Sequence, residues 1–274
     1  MSTQIRQAVG AGRWFDSNGA SLKREVEGYI NSAAVPEISG RIVVGLAPHA
    51  GFRYSGPTAG FTFRALRDQP ESMKPDVLVI AGFPHHASLR GCAVMDGDAI
   101  ETPIGRHPID MESATFLCSF PSIEFAYKYH NGEHSAENEI PFAQCALPGV
   151  PIVVVLVGDE GSVPLANALI ELNKKKKVCV VCSTDMLHDE DYDKVYKVDA
   201  NTLELTEKMD IEGLKKKWSY DHQIYCGMKP VMAGMLFAKA LGCTKSTILK
   251  HACSGDGKED RSYNVGYGSV VMTI

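Results

Sequence analysis

No apolar run in this sequence approaches the roughly 18–20 residues that a membrane span requires, which excludes insertion through an apolar helix. The stretch Met1 to Gly12 contains no apolar core of the secretory type, so no export signal is expected there. Basic charge is also scarce. With 28 Lys and Arg against 33 Asp and Glu, the formal net charge is −5, and no footprint for nucleic acid or anionic lipid exists. No phosphate-cradling loop of the Walker or Rossmann type occurs, since Gly255-Asp-Gly257 is too short and too late in the chain. Repeats, low-complexity tracts and Pro/Gly-rich linkers are missing as well, so residues 1–274 are read as one domain, long but within the α/β range. The eight cysteines are scattered rather than packed into a small framework, and a reducing, cytoplasmic setting is expected.

What is present is an alternation. A hydrophobic content of 45% with 22% charged residues is ordinary for a globular chain able to bury a large core. Four short β-branched runs, 41–47, 76–81, 151–157 and 178–182, each end at a breaker or a polar residue and read as buried strands. Helical spacing is found at 19–32, with Leu22, Val26, Tyr29 and Ile30 on one face. Further helices are predicted over 57–67, 111–116, 136–146, 162–175, 198–208, 211–218 and 230–241, and a closing strand over 262–274. Strands alternating with helices predict an α/β fold, a mostly parallel or mixed central sheet flanked by helices.

Three of the four strands deliver a metal- or proton-binding side chain just past their carboxyl ends: His49, His85 and Asp185. In open α/β sheets ligands bind at those ends, so residues distant in sequence can converge there. The plainer alternative, loop histidines that satisfy local hydrogen bonds, stays open at this point. His86 adjoins His85, and on an extended backbone only one of the two enters a given site easily. His134 and Glu137 lie three residues apart in Glu133-His-Ser-Ala-Glu, where Ser135 is placed to cap a helix. Asp185 and His188 have the same spacing, which permits a carboxylate to orient an imidazole. Cys179 and Cys182 form a C-x-x-C only formally, because on a strand they face opposite ways and no helix start activates them. Cys226 differs, preceding a predicted helix whose start favours a thiolate, although a lone cysteine there also has a structural reading. The lysine runs 174–177 and 215–217 read as solvated helix ends.

Six motifs occur in order from about residue 11 onward: Gly12-Arg-Trp14-Phe15, Pro48-His-Ala-Gly51, Pro84-His-His86, His134-Ser-Ala-Glu137, Ser183-Thr-Asp185 with His188, and Cys226-Gly227. In this combination the chain resembles the Memo proteins, named for mediating receptor-tyrosine-kinase-driven cell motility. The resemblance implies a fold similar to the class III extradiol dioxygenases, which hold non-haem Fe(II) at the end of an α/β sheet. It further implies a pocket of two histidines and a cysteine, which on this chain are His49, His85 and Cys226, with Asp185, His188 and His134 as further pocket residues. The chain departs from vertebrate members at Glu139, where a second histidine is usual, and at Phe15, where a tyrosine is usual. These changes bear on an aromatic-peptide groove more than on the ligands.

Two functions follow as expectations. The first is metal-dependent redox chemistry linked to signalling, with O₂ or a small molecule as the partner at the metal. Replacing a carboxylate ligand by sulfur softens the site, so copper competes with Fe(II), and zinc is also compatible. His188, oriented by Asp185, would then give or take a proton. The second is an adaptor whose pocket binds a phosphotyrosine or other acidic peptide of a signalling protein. The motifs carry no arginine cluster of the kind phosphate recognition uses, which counts against it. An inherited pocket with function elsewhere on the surface is the third reading.

Overall fold

A computed structural model describes residues 3–274. The chain begins with strand β1 (Ile5–Gln7) and helix α1 (Gly19–Ser32), which Asn18 caps by accepting from the Ser21 N–H. Strand β2 (Ile42–Ala47), helix α2 (Phe52–Arg67) and strand β3 (Val77–Gly82) follow. Short strands β4 (Cys92–Val94), β5 (Ala99–Thr102) and β6 (Gly105–Pro108) lead to α3 (Met111–Leu117) and β7 (Ile123–Phe125). Then come α4 (Ile140–Ala146), β8 (Ile152–Val157), α5 (Ser162–Asn173) and β9 (Val178–Ser183). The rest of the chain supplies β10 (His188–Asp189), α6 (Tyr192–Glu207), α7 (Ile211–Lys217), α8 (Met228–Ala240), β11 (Ser246–Cys253) and β12 (Asn264–Thr273).

The fold is α/β with a mixed sheet. Strands β2, β9, β3 and β8 lie side by side and parallel, and every one of their residues is buried. Helices cover both faces, which is why these strands read as continuous apolar runs rather than alternating ones. Val79, Val155 and Val180 face α5 and α8, whereas Leu78, Val154 and Val181 face α1, α2 and α4. Cys182 and Cys179 divide the same way, one into each core, as their spacing predicts. Strand β12 pairs antiparallel with β2 and carries β10 and β11 beyond it, while β4 and β7 extend the other side from β8. Together these make a nine-stranded sheet; β1, β5 and β6 form a separate three-stranded one.

Several boundaries differ from the sequence expectation. Helix α2 opens at Phe52 rather than at Pro57, because buried Phe52, Ser55 and Gly56 already belong to its inner face, and Pro57 sits within the helix. Helix α6 opens at Tyr192, where Asp191 accepts from the Lys194 N–H. Ser135 caps no helix: a 3₁₀ turn over Glu137–Glu139 precedes α4, and the Ser135 hydroxyl is used elsewhere.

Candidate metal centre

The register of the parallel strands explains why distant residues meet. Ala47 pairs with Ser183, so His49 and Asp185 stand equally far past the ends of β2 and β9. Asp185 accepts from the His49 N–H at 2.8 Å and from the Ala50 N–H at 3.3 Å. Its carboxylate therefore fixes the backbone that carries His49. Burial raises the Asp185 pKa, although the nearby His188 and these two amides pull the other way. The His49 ring is buried, with Nδ1 2.9 Å from Ser183 Oγ. Burial first, and the neighbouring His85 second, hold its pKa well below the usual imidazole value, so it is neutral.

His85 follows β3, which neighbours β9. Glu133 holds it at two points, accepting from the His85 N–H at 2.6 Å and from Nδ1 at 2.8 Å. The same carboxylate accepts from the His134 and Ser135 N–H groups at 2.9 and 2.8 Å. Burial alone would raise the Glu133 pKa, but the bonds from His85 and these amides bring it down to about 2. An ionised partner on Nδ1 leaves His85 Nε2 as the free lone pair. Gly82 permits the approach of this segment, since a Cβ there would lie 2.5 Å from Ser135 Oγ and 2.7 Å from Ala136 N. Ser135 Oγ closes the link, donating to Phe83 O at 2.7 Å and accepting from Phe83 N at 3.1 Å.

His134 lies between two rings. It stacks on Trp14 at 4.0 Å with 7° between planes, and on His85 at 4.5 Å with 23°. Burial, then His49 and His85, lower its pKa to about 3. Trp14 reaches it because Glu137 accepts from the Val9 and Gly10 amides and the Trp14 carbonyl accepts from the Phe52 N–H. The ligand nitrogens of His49, His85 and His134 all lie within 4.8 Å of one another.

Cys226 arrives from the opposite end of the chain, two residues before α8, and is 8% exposed. Reciprocal bonds dock it on the end of β9: the Asp185 N–H donates to Sγ and the Cys226 N–H donates to Asp185 O, both at 3.2 Å. Its Sγ is 3.5 Å from His49 Nε2. Burial pushes the thiol pKa up, with the Asp185 charge second, so the thiol is protonated without a cation beside it. His188 lies at the mouth beside Asp185, whose charge acts on it, and its Nδ1 is 3.3 Å from the Tyr263 hydroxyl. The hydrogen bonds of Asp185 go to the His49 segment and Cys226, and the one at His188 goes to Tyr263. Two grooves reach this mouth, about 540 Å³ beside His85 and His86 and about 260 Å³ beside His188, sharing Tyr220 and Gln223 as a wall.

The description "Memo-like protein" fits residues 6–271 of the chain. This chain belongs to the Memo family. A MEMO1 family protein of Pyrobaculum aerophilum is 32% identical, covering 98% of this chain and 99% of its own. One from Saccharolobus solfataricus is 33% identical over 81% of this chain and 80% of its own. An uncharacterized protein of Escherichia coli K12 aligns in structure with a TM-score of 0.48 and 13% identity, covering 84% of this chain and 99% of that one.

In this Memo protein the donor chemistry suits a transition-metal ion. His49 Nε2 and Cys226 Sγ are 3.5 Å apart, but the group whose ligand atoms lie close together is His49, His85 and His134, without Cys226. Each of the two imidazoles His49 and His85 has its Nδ1 engaged by an outer partner, as metal-ligating histidines do. Glu133, Ser183, Trp14 and Tyr263 were given no role by sequence reasoning. Trp14 and Ser183 lie within the motifs and Glu133 adjoins one, whereas Tyr263 carried no signal; the contacts all four make join segments distant in sequence or depend on the fold.

Proposed function

We propose that this Memo protein is a metal-dependent redox protein in which His49, His85 and Cys226 hold iron or copper. The observation that supports this most is the set of free lone pairs. Ser183 and Glu133 occupy the outer nitrogens of His49 and His85, so both Nε2 atoms are left for a ligand. When bound, such an ion supplies one-electron chemistry and a positive charge beside Cys226. Cys226 would hold the ion as its thiolate, so affinity would fall in acid. Asp185 positions His49 and Cys226 through its main-chain and side-chain bonds. His188 supplies a proton donor or acceptor at the mouth, and Tyr263 orients it. His134, between Trp14 and His85, gives the pocket a third neutral imidazole.

The deciding experiment is metal content and affinity of anaerobically purified protein, wild type beside Cys226→Ser. Near-stoichiometric iron or copper that is lost in the variant supports the thiolate set. Retention in the variant assigns the ion to His49, His85 and His134 instead. Failure of the wild type to bind after reconstitution overturns the redox reading and favours a peptide-binding adaptor.

A further inference from the structure

Behind His49 one hydroxyl has more partners than protons. Ser183 Oγ lies 2.5 Å from Ser135 O, 2.8 Å from Glu139 Oε1 and 2.9 Å from His49 Nδ1. A serine hydroxyl has one hydrogen to donate and two lone pairs to accept with. The Ser135 carbonyl can only accept, and it makes the shortest contact, so it takes the Ser183 proton. The other two neighbours must then donate. For His49 this places the hydrogen on Nδ1 and bares Nε2. For Glu139 it requires a carboxylic acid.

The surroundings of Glu139 agree. The residue is 1% exposed, and its second oxygen, Oε2, has no hydrogen-bond partner among the described residues. An ionised carboxylate there would keep charge on an oxygen that nothing solvates, which is costly. Burial, with Asp185 adding to it, pushes the carboxyl up to about 8.

We propose that Glu139 is held as a neutral carboxylic acid that donates to Ser183, filling the lone pair His49 does not use and so steadying the hydroxyl that receives His49 in the tautomer presenting Nε2 to the pocket. Glu139 is thus a positioning residue, acting through Ser183 on a candidate ligand it does not itself supply. The value of that tautomer rests on the metal-site reading; the protonation state does not.

Two measurements on the full chain separate these parts. Infrared spectra of the metal-free protein at pH 7, wild type minus Glu139→Gln, are expected to show a protonated-carboxyl stretch that the variant lacks. Absence of that band overturns the proposal without touching the metal site. Titration with Co(II), followed by its ligand-field absorption, reads the second part. Glutamine can donate to Ser183 as the acid does, so Glu139→Gln is expected to bind within about threefold of wild type. Glu139→Leu removes that donor but leaves the Ser135–Ser183–His49 chain in place, so it is expected to weaken binding by no more than about tenfold, the low end for an outer partner. A Glu139→Gln variant tenfold or more weaker than wild type would mean that a charge had been removed, and overturns the proposal. If no protein binds cobalt while the infrared band is present, the metal reading fails and the neutral acid stands.

Discussion

At the scale of residues, burial and hydrogen bonds move the pKa values of several pocket groups away from their ordinary values, and pH should expose those shifts. His134, held near 3 against an ordinary 6.5, takes up a proton in the unfolded chain before it does so in the fold. Its contribution to stability is therefore complete above pH 6.5 and is lost as pH falls from 6.5 toward 3. His49 acts in the same direction. Denaturant midpoints of the metal-free protein should fall across that range, and His134→Phe, which keeps a ring against Trp14, should flatten the slope. Glu139 has the opposite sign. Raised to about 8 from 4.5, it favours the fold below pH 4.5 and loses that contribution as pH rises toward 8. A wild-type loss of stability between about pH 4.5 and 8 that Glu139→Gln does not share is the expected result. Glu133 is the residue whose change should cost the site most for least effect on the fold. Glu133→Gln weakens the grip on His85 and should lower metal affinity about 10–100-fold, read by titration, with little change in circular dichroism.

At the scale of elements, the candidate site is built by docking the start of α8 against the end of β9. Gly227 makes that approach possible, because a Cβ there would lie 2.6 Å from Ser183 O and 3.0 Å from Thr184 Cβ. Gly227→Ala should therefore cost about 1–3 kcal/mol, as overpacking does, and displace Cys226 from His49. Thermal unfolding and cobalt absorption would show both effects, and an unchanged cobalt spectrum would argue that the two segments are not tightly coupled. The buried strands were the most legible elements because continuous apolar runs such as Ile152–Val157 have no other comfortable environment. β11 was missed for the converse reason. Its residues Ser246–Cys253 are mostly half-exposed, and its pairing with β12, not its own pattern, defines it.

At the scale of the whole molecule, His49, His85 and Asp185 could be expected at one sheet end, because the rule that places ligands there depends only on strand direction. Cys226 could not be placed that way, since it follows no predicted strand and its position depends on a 3.2 Å bond from Asp185 N–H. The partners on the far side of the histidines, Ser183 and Glu133, lie in or beside the motifs, but their contacts depend on the fold in the same way. If the centre holds an ion as proposed, it joins segments 177 positions apart, from His49 to Cys226. An ion present at 100 times its Kd adds about 2.7 kcal/mol to stability. Chelation should thus lower the melting temperature by several degrees, and re-addition of the correct metal should restore it.

Each of the chain's two tryptophans touches a residue at or beside this pocket. Trp14 is stacked on His134, and Trp218 donates its indole N–H to Tyr225 O at 2.9 Å, one residue from Cys226. The protein therefore carries its own optical reporter. An imidazolium forming against Trp14, or an ion binding in the pocket, is expected to change emission without any label. A Trp218→Phe variant would isolate the signal from the His134 side, allowing occupancy of the pocket to be followed in real time in unmodified buffer.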